Sequence, residues 1–246
     1  MTFSFTAEWL KTKRTLFRAT LYVSPILFNL LIFGYIVFTN QRITERNFYS
    51  NYFSILNFLL PFTISFILAL MNNYEREAGN FKNIFGLNRY YYFLLSQKFV
   101  FSYLVISIVF LFNSIMTITL LKLTFNVSSV FFYCHFLYGF TLTWISFMTS
   151  FIIYFFLSII CSPITTFFIG LASSLLTAVI GLTSLGNGLW ILFPFTWGSR
   201  FITISLNNKS LVSFLYEYSG FSYALLFCPI ICFLISIITC AALFRQ

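Results

Sequence analysis

The sequence predicts an all-α polytopic membrane protein with six transmembrane helices, and three observations carry that reading. From Leu123 to Ser199 the chain holds no Asp, Glu, Lys or Arg. Four further charge-free stretches, 19–41, 47–74, 99–121 and 218–244, each match the roughly 20 apolar residues that one helical crossing needs. Only 8% of residues are charged, against about 25% in a typical soluble domain. Six spans and their loops consume all 246 residues, so residues 1–246 read as a single membrane domain with no room for a soluble catalytic unit.

Residues 3–18 read as an N-terminal amphipathic helix in the headgroup plane. Phe5, Trp9, Leu16 and Phe17 share an apolar face, and Glu8, Lys11, Arg14 and Arg18 the opposite one. The charged segment is long and the apolar run after it is span-length, so Ala19–Thr39 is expected to be a retained first span rather than a cleavable signal. Pro25 should bend it. Span two covers about 52–73, with Pro61 near its middle. Span three covers about 98–121, between Lys98 and Lys122, and span four about 133–160. Ser162–Pro163 breaks the helix, and span five follows at about 164–184. Residues 185–221 show no single span and read as an outer re-entrant segment, with Trp190 and Trp197 at the interfacial depth that tryptophan prefers. Span six covers about 222–244.

Orientation follows from Lys and Arg. An N-terminus in the cytoplasm puts Lys11, Lys13, Arg14, Arg18, Arg76, Lys82, Arg89, Lys98 and Arg245 on the inner side. The outer side then holds Arg42, Arg46, Lys122, Arg200 and Lys209. The excess favours both termini in the cytoplasm of a bacterial cell membrane. The net charge of +9 is therefore read as topology and attraction to anionic lipid, not as a nucleic-acid surface. Cys134, Cys161, Cys228, Cys232 and Cys240 read as packing residues, with no metal-ligand set around them.

Several chemistries are disfavoured. There is no GxxxxGK[ST] phosphate loop. No carboxylate falls at mid-membrane depth, which points away from ion coupling. His135 with Ser173 or Ser174 could form an intramembrane hydrolase dyad only if the fold brought them within hydrogen-bond reach. Nothing in the sequence does so, and no catalytic residue is assigned. The segment 74–90 is richer in information. Its acids precede its bases and glycine, and Phe81, Ile84 and Phe85 share one side at helical spacing. It reads either as a short helix that docks into a partner groove or as an ordinary amphipathic loop.

AEWLKTKRT (7–15), EREAGNFKNIFGLNR (75–89) and WILFPFTWGSR (190–200), in this order among the spans, resemble the permease subunit of an ABC-2-type ABC transporter. Within that class the chain is most similar to the lantibiotic self-immunity permeases of Gram-positive bacteria, through its length, its E…AG.FKN-like segment and the lysine opening span three. The resemblance implies a cytoplasmic coupling helix carrying Glu75, Glu77, Gly79, Phe81, Lys82, Asn83 and Phe85. It also implies an amphipathic helix carrying Trp9, Lys11, Lys13 and Arg14. Implied partners are two copies of an ABC ATPase, a second related permease and the lipid bilayer. The chain itself would hold no cofactor or metal, with ATP and Mg bound by the ATPase. The implied substrate is a cationic amphipathic peptide expelled from the membrane, with Trp190, Phe193, Trp197 and Glu217 as candidate outer contacts. Another ABC-2 substrate (a drug, another peptide or a lipid-linked precursor) and a non-transporting scaffold are the alternatives.

Overall fold

The computed structural model describes residues 5–13, 15–39, 45–77, 79, 91–125, 130–186 and 189–206, and all regular structure among them is helical. Helix α1 is Phe5–Lys11, α2 Leu16–Thr39, α3 Glu45–Glu77 and α4 Tyr91–Phe125. Helix α5 is Val130–Ile160, α6 Pro163–Leu176 and α7 Trp197–Leu206. Five of these, α2 to α6, are long and apolar enough to cross a bilayer, the last with its extension to Gly181. The expected sixth span, 222–244, lies outside the described residues.

The helices are longer than the hydropathy pattern indicates, because a helix continues past the hydrocarbon edge until something stops it. Helix α3 has 33 residues, about 50 Å at 1.5 Å per residue, against a hydrocarbon core about 30 Å thick. Both ends therefore reach the polar zones, and Arg46 and Arg76 sit on those ends. Helix α6 starts where expected. Ser162 Oγ accepts the Thr165 N–H at 3.2 Å and Pro163 occupies the first turn, where its missing N–H costs nothing. It ends differently: the expected 164–184 span is α-helical only to Leu176 and continues as a π turn, Thr177–Gly181.

Helix α3 is central, packing against α2, α5, α6 and α7. The α3–α6 contact is close because Gly170 has no side chain. A Cβ there would stand 1.7 Å from Ser65 Oγ. The remaining core is aromatic and falls into two clusters. In one, Tyr52 and Phe53 of α3 meet Phe136 and Phe140 of α5 at centroid distances of 5.0 to 5.8 Å. In the other, Phe99 of α4 lies edge-on to Phe151 and Phe155 of α5 at 5.2 and 5.1 Å. Such pairs add about 0.5–1.5 kcal/mol each beyond the area they bury. That margin matters in a bilayer, where apolar burial alone does not favour protein over lipid.

Candidate functional site

The last turn of α3 joins four other helices. The Tyr74 hydroxyl accepts the Leu16 N–H at the start of α2, at 3.1 Å. The next residue, Glu75, has its carboxylate 3.4 Å from Lys11 Nζ of α1 and 3.7 Å from Lys98 Nζ of α4. Arg76 donates from Nη2 to the carbonyls of Ile159 and Cys161 at the end of α5, at 3.0 and 2.6 Å. Those carbonyls have no amide partner within a helix that is ending. Consecutive side chains point about 100° apart around a helix, so three neighbours can reach three directions.

Charge is unevenly shared within this cluster. Lys98 is buried and Glu75 is mostly covered, so this pair is shielded from solvent and salt. Lys11 is more open and also binds Glu8 at 2.6 Å. Burial is the largest influence on the Lys11 pKa and lowers it, but Glu8 and Glu75 outweigh that and the net direction is upward. Glu77 is exposed and accepts a hydrogen bond from Asn73 at 2.7 Å.

Two predicted groups of residues meet here. From the amphipathic segment, Lys11 reaches Glu75, and Trp9 lies under the Arg18 guanidinium at 4.1 Å. Lys13 is exposed. Arg14 lies outside the described residues. From the expected coupling segment, Glu75 and Glu77 belong to the end of α3 rather than to the start of a new helix, because α3 runs unbroken to Glu77. Gly79 has φ +132°, a conformation side chains rarely adopt, and it marks where the helical path is left. Phe81, Lys82, Asn83 and Phe85 lie outside the described residues.

The segment 189–206, which the sequence reads as re-entrant, is held by hydrogen bonds to its own irregular backbone. Trp197 Nε1 donates to the Ile191 carbonyl at 3.2 Å, and Thr196 Oγ1 to the Trp190 carbonyl at 3.0 Å. Arg200 donates to the Ile180 and Thr183 carbonyls, both at 2.7 Å, at the end of the π turn. Arg46 reaches the Leu206 carbonyl at 3.1 Å. Three arginines thus serve three helix ends, where cations suit the exposed carbonyls. Trp190 and Trp197, expected as candidate outer contacts, are largely covered. They are 5% and 2% exposed, because both indoles complete the α3–α5 aromatic cluster. Phe193 is half-buried, its ring tilted against that of Phe195 at 5.6 Å. Glu217 lies outside the described residues.

A second polar group sits among the spans. Asn29 of α2, Tyr52 of α3, and Asn113 and Thr117 of α4 are buried together. The Asn29 amide donates to Asn113 Oδ1 at 2.7 Å, and the Asn113 amide to the Tyr52 hydroxyl at 3.1 Å. Thr117 Oγ1 donates to Asn29 Oδ1 at 2.8 Å. An asparagine in mid-span is the visible sequence signal of this group. Lys98, an inner-side cation and the lysine that opens span three, is buried beside Glu75. His135 packs its ring on Tyr49 at 4.7 Å, while the Ser173 hydroxyl pairs with Tyr154.

Comparison of the chain with protein-family models, with curated proteins and with solved structures gives no match.

Proposed function

We propose that this chain is the membrane-spanning subunit of an ATP-driven exporter, moved by a soluble ATPase that grips the segment following α3. The observation that carries the reading is the linkage at Tyr74, Glu75 and Arg76. A force applied just beyond Glu77 would reach α1, α2, α4 and α5 through contacts of 2.6 to 3.7 Å. The order of the motifs along the chain supports an ABC-2 permease. On this reading the α3 end faces the cytoplasm of a bacterial cell, with both termini on the same side. ATP and Mg belong to two ATPase copies, and a second permease completes the assembly.

The substrate we assign is a cationic amphipathic peptide of the lantibiotic type, expelled to the medium so that the producing cell is protected. Burial of Trp190 and Trp197 moves the candidate contacts on the described outer segment to exposed Leu185, Leu189 and Leu192. Co-expression with the ATPase and second permease from its own gene neighbourhood tests both parts. Co-purification of the ATPase, lost on Glu77→Lys with Phe81→Ala, supports the exporter; unchanged association and hydrolysis favour a scaffold. Raised tolerance to a pore-forming lantibiotic supports the substrate, and equal killing with and without the subunits rejects it.

A further inference from the structure

Between α2, α3 and α4, at mid-span, lies a cleft of about 80 Å³, partly open to the surroundings. Its walls include Ser24, Phe28, Leu59, Thr63, Val109 and Asn113, and no charged residue lines it. The mouth adjoins two apolar stripes that face outward. On α2 these are Val23, Ile26 and Leu27, at 52%, 43% and 54% exposure, and on α4 Ile108, Leu111 and Phe112, at 63%, 58% and 53%. Side chains so exposed at the middle of a span meet hydrocarbon.

We propose that the cleft holds one acyl chain of a bilayer phospholipid, seated between α2 and α3 as a structural ligand. Left empty, the walls would lose their dispersion contacts on one side. Water is a poor filler, because a mostly apolar cavity offers too few polar partners and stays dry. A cationic group would enter a site with no counter-charge at a depth where charge is expensive. A neutral acyl chain meets none of these objections. The Asn29–Asn113–Tyr52–Thr117 group bounds the site, since Asn113 both lines the cleft and belongs to that group. The inference is independent of the proposed transport activity, and it excludes this cleft as the path of a cationic peptide.

The test uses the full chain in nanodiscs containing phosphatidylglycerol with a diazirine midway along one acyl chain. After photolysis, peptide mass spectrometry maps the adducts. Adducts on Leu59, Thr63 and Val109, as well as on the outward stripes, are expected. Val109→Phe and, separately, Leu59→Trp should lower the cleft adducts several-fold while those on Ile108 and Leu111 stay unchanged. Adducts confined to the stripes in the unmodified protein would overturn the proposal, whether the cleft is empty or filled by another part of the chain. Cleft adducts that both bulky variants leave undiminished would also overturn it.

Discussion

The Tyr52 hydroxyl stands 2.8 Å from Thr117 Oγ1, and this contact closes a ring of hydrogen bonds inside the membrane-crossing bundle. One proton arrangement satisfies every member. Tyr52 donates to Thr117, Thr117 to Asn29, Asn29 to Asn113 and Asn113 back to Tyr52. Asn29 also donates to the Pro25 carbonyl at 2.8 Å. Chains of hydrogen bonds polarise one another in a low dielectric, so the ring fastens α2 to α3 and α4 more firmly than separate pairs would.

Opening the ring should cost stability in a non-additive way. Asn29→Leu or Asn113→Leu alone should each lower stability by about 0.5–2 kcal/mol, the span of values for interhelical hydrogen bonds in membranes. The double variant should lose less than the sum, since each single change leaves the same partners unpaired. Equilibrium unfolding of the four proteins in bicelles gives the cycle, and additive losses would count against a cooperative ring.

Glu75 should hold α1 to the bundle. Glu75→Gln removes the carboxylate from buried Lys98, and breaking such a pair from one side costs about 3–5 kcal/mol when both groups are fully buried. Glu75 is 14% exposed, so a smaller loss is expected. Trypsin should then cut faster after Lys11 and Lys13. Adding Lys98→Met removes the buried ammonium and should recover part of the stability but not the protection of α1, whose link to Lys11 is still missing.

Arg76 should behave as a cap. Arg76→Met strands the Ile159 and Cys161 carbonyls, and hydrogen bonds from charged groups are worth about 1.5–3 kcal/mol. Faster hydrogen exchange in the last turn of α5, with the middle of α5 unchanged, is the expected signature. Arg76→Lys should restore part of it, because an ammonium reaches the carbonyls without the planar fork of a guanidinium.

Gly170 should tolerate no side chain. Gly170→Val drives a branched group into Ser65, and overpacking of this kind costs about 1–3 kcal/mol or more. Ser65→Gly in the same chain should recover part of the loss. Thermal unfolding of the three proteins in detergent measures it, and an unaffected Gly170→Val would mean that α3 and α6 can separate freely.

Trp190 and Trp197 should act through stability rather than recognition. A variant retaining only these two tryptophans should fluoresce at short wavelength and resist aqueous iodide. Trp197→Phe should weaken the fold by roughly 1 kcal/mol, since the Ile191 carbonyl loses its donor. Peptide tolerance conferred by correctly folded protein should stay unchanged. A loss of tolerance at normal protein levels would return these residues to a binding role.

Much of the architecture was legible in the chain. Charge-free stretches marked the five spans among the described residues, and Ser162–Pro163 marked the start of α6. Helix ends were less legible, because Glu75 and Arg76 read as part of a separate short helix or an amphipathic loop until the carbonyls and lysines around them are seen. Trp190 and Trp197 misled for a related reason. Tryptophan at a span end commonly faces the interface, but a neighbouring aromatic cluster with room for an indole holds it inside.

By itself the sequence determined that this chain lives in a bilayer and roughly where it crosses. Transfer from water to hydrocarbon is a sum over residues, and that sum does not depend on how one helix is turned toward another. Only the tertiary structure decided that Asn29 meets Asn113 and that Glu75 lies between Lys11 and Lys98. The tertiary structure alone also turned Trp197 inward. Those outcomes depend on the rotation, depth and spacing of each helix against the others, which residues far apart in the chain fix jointly.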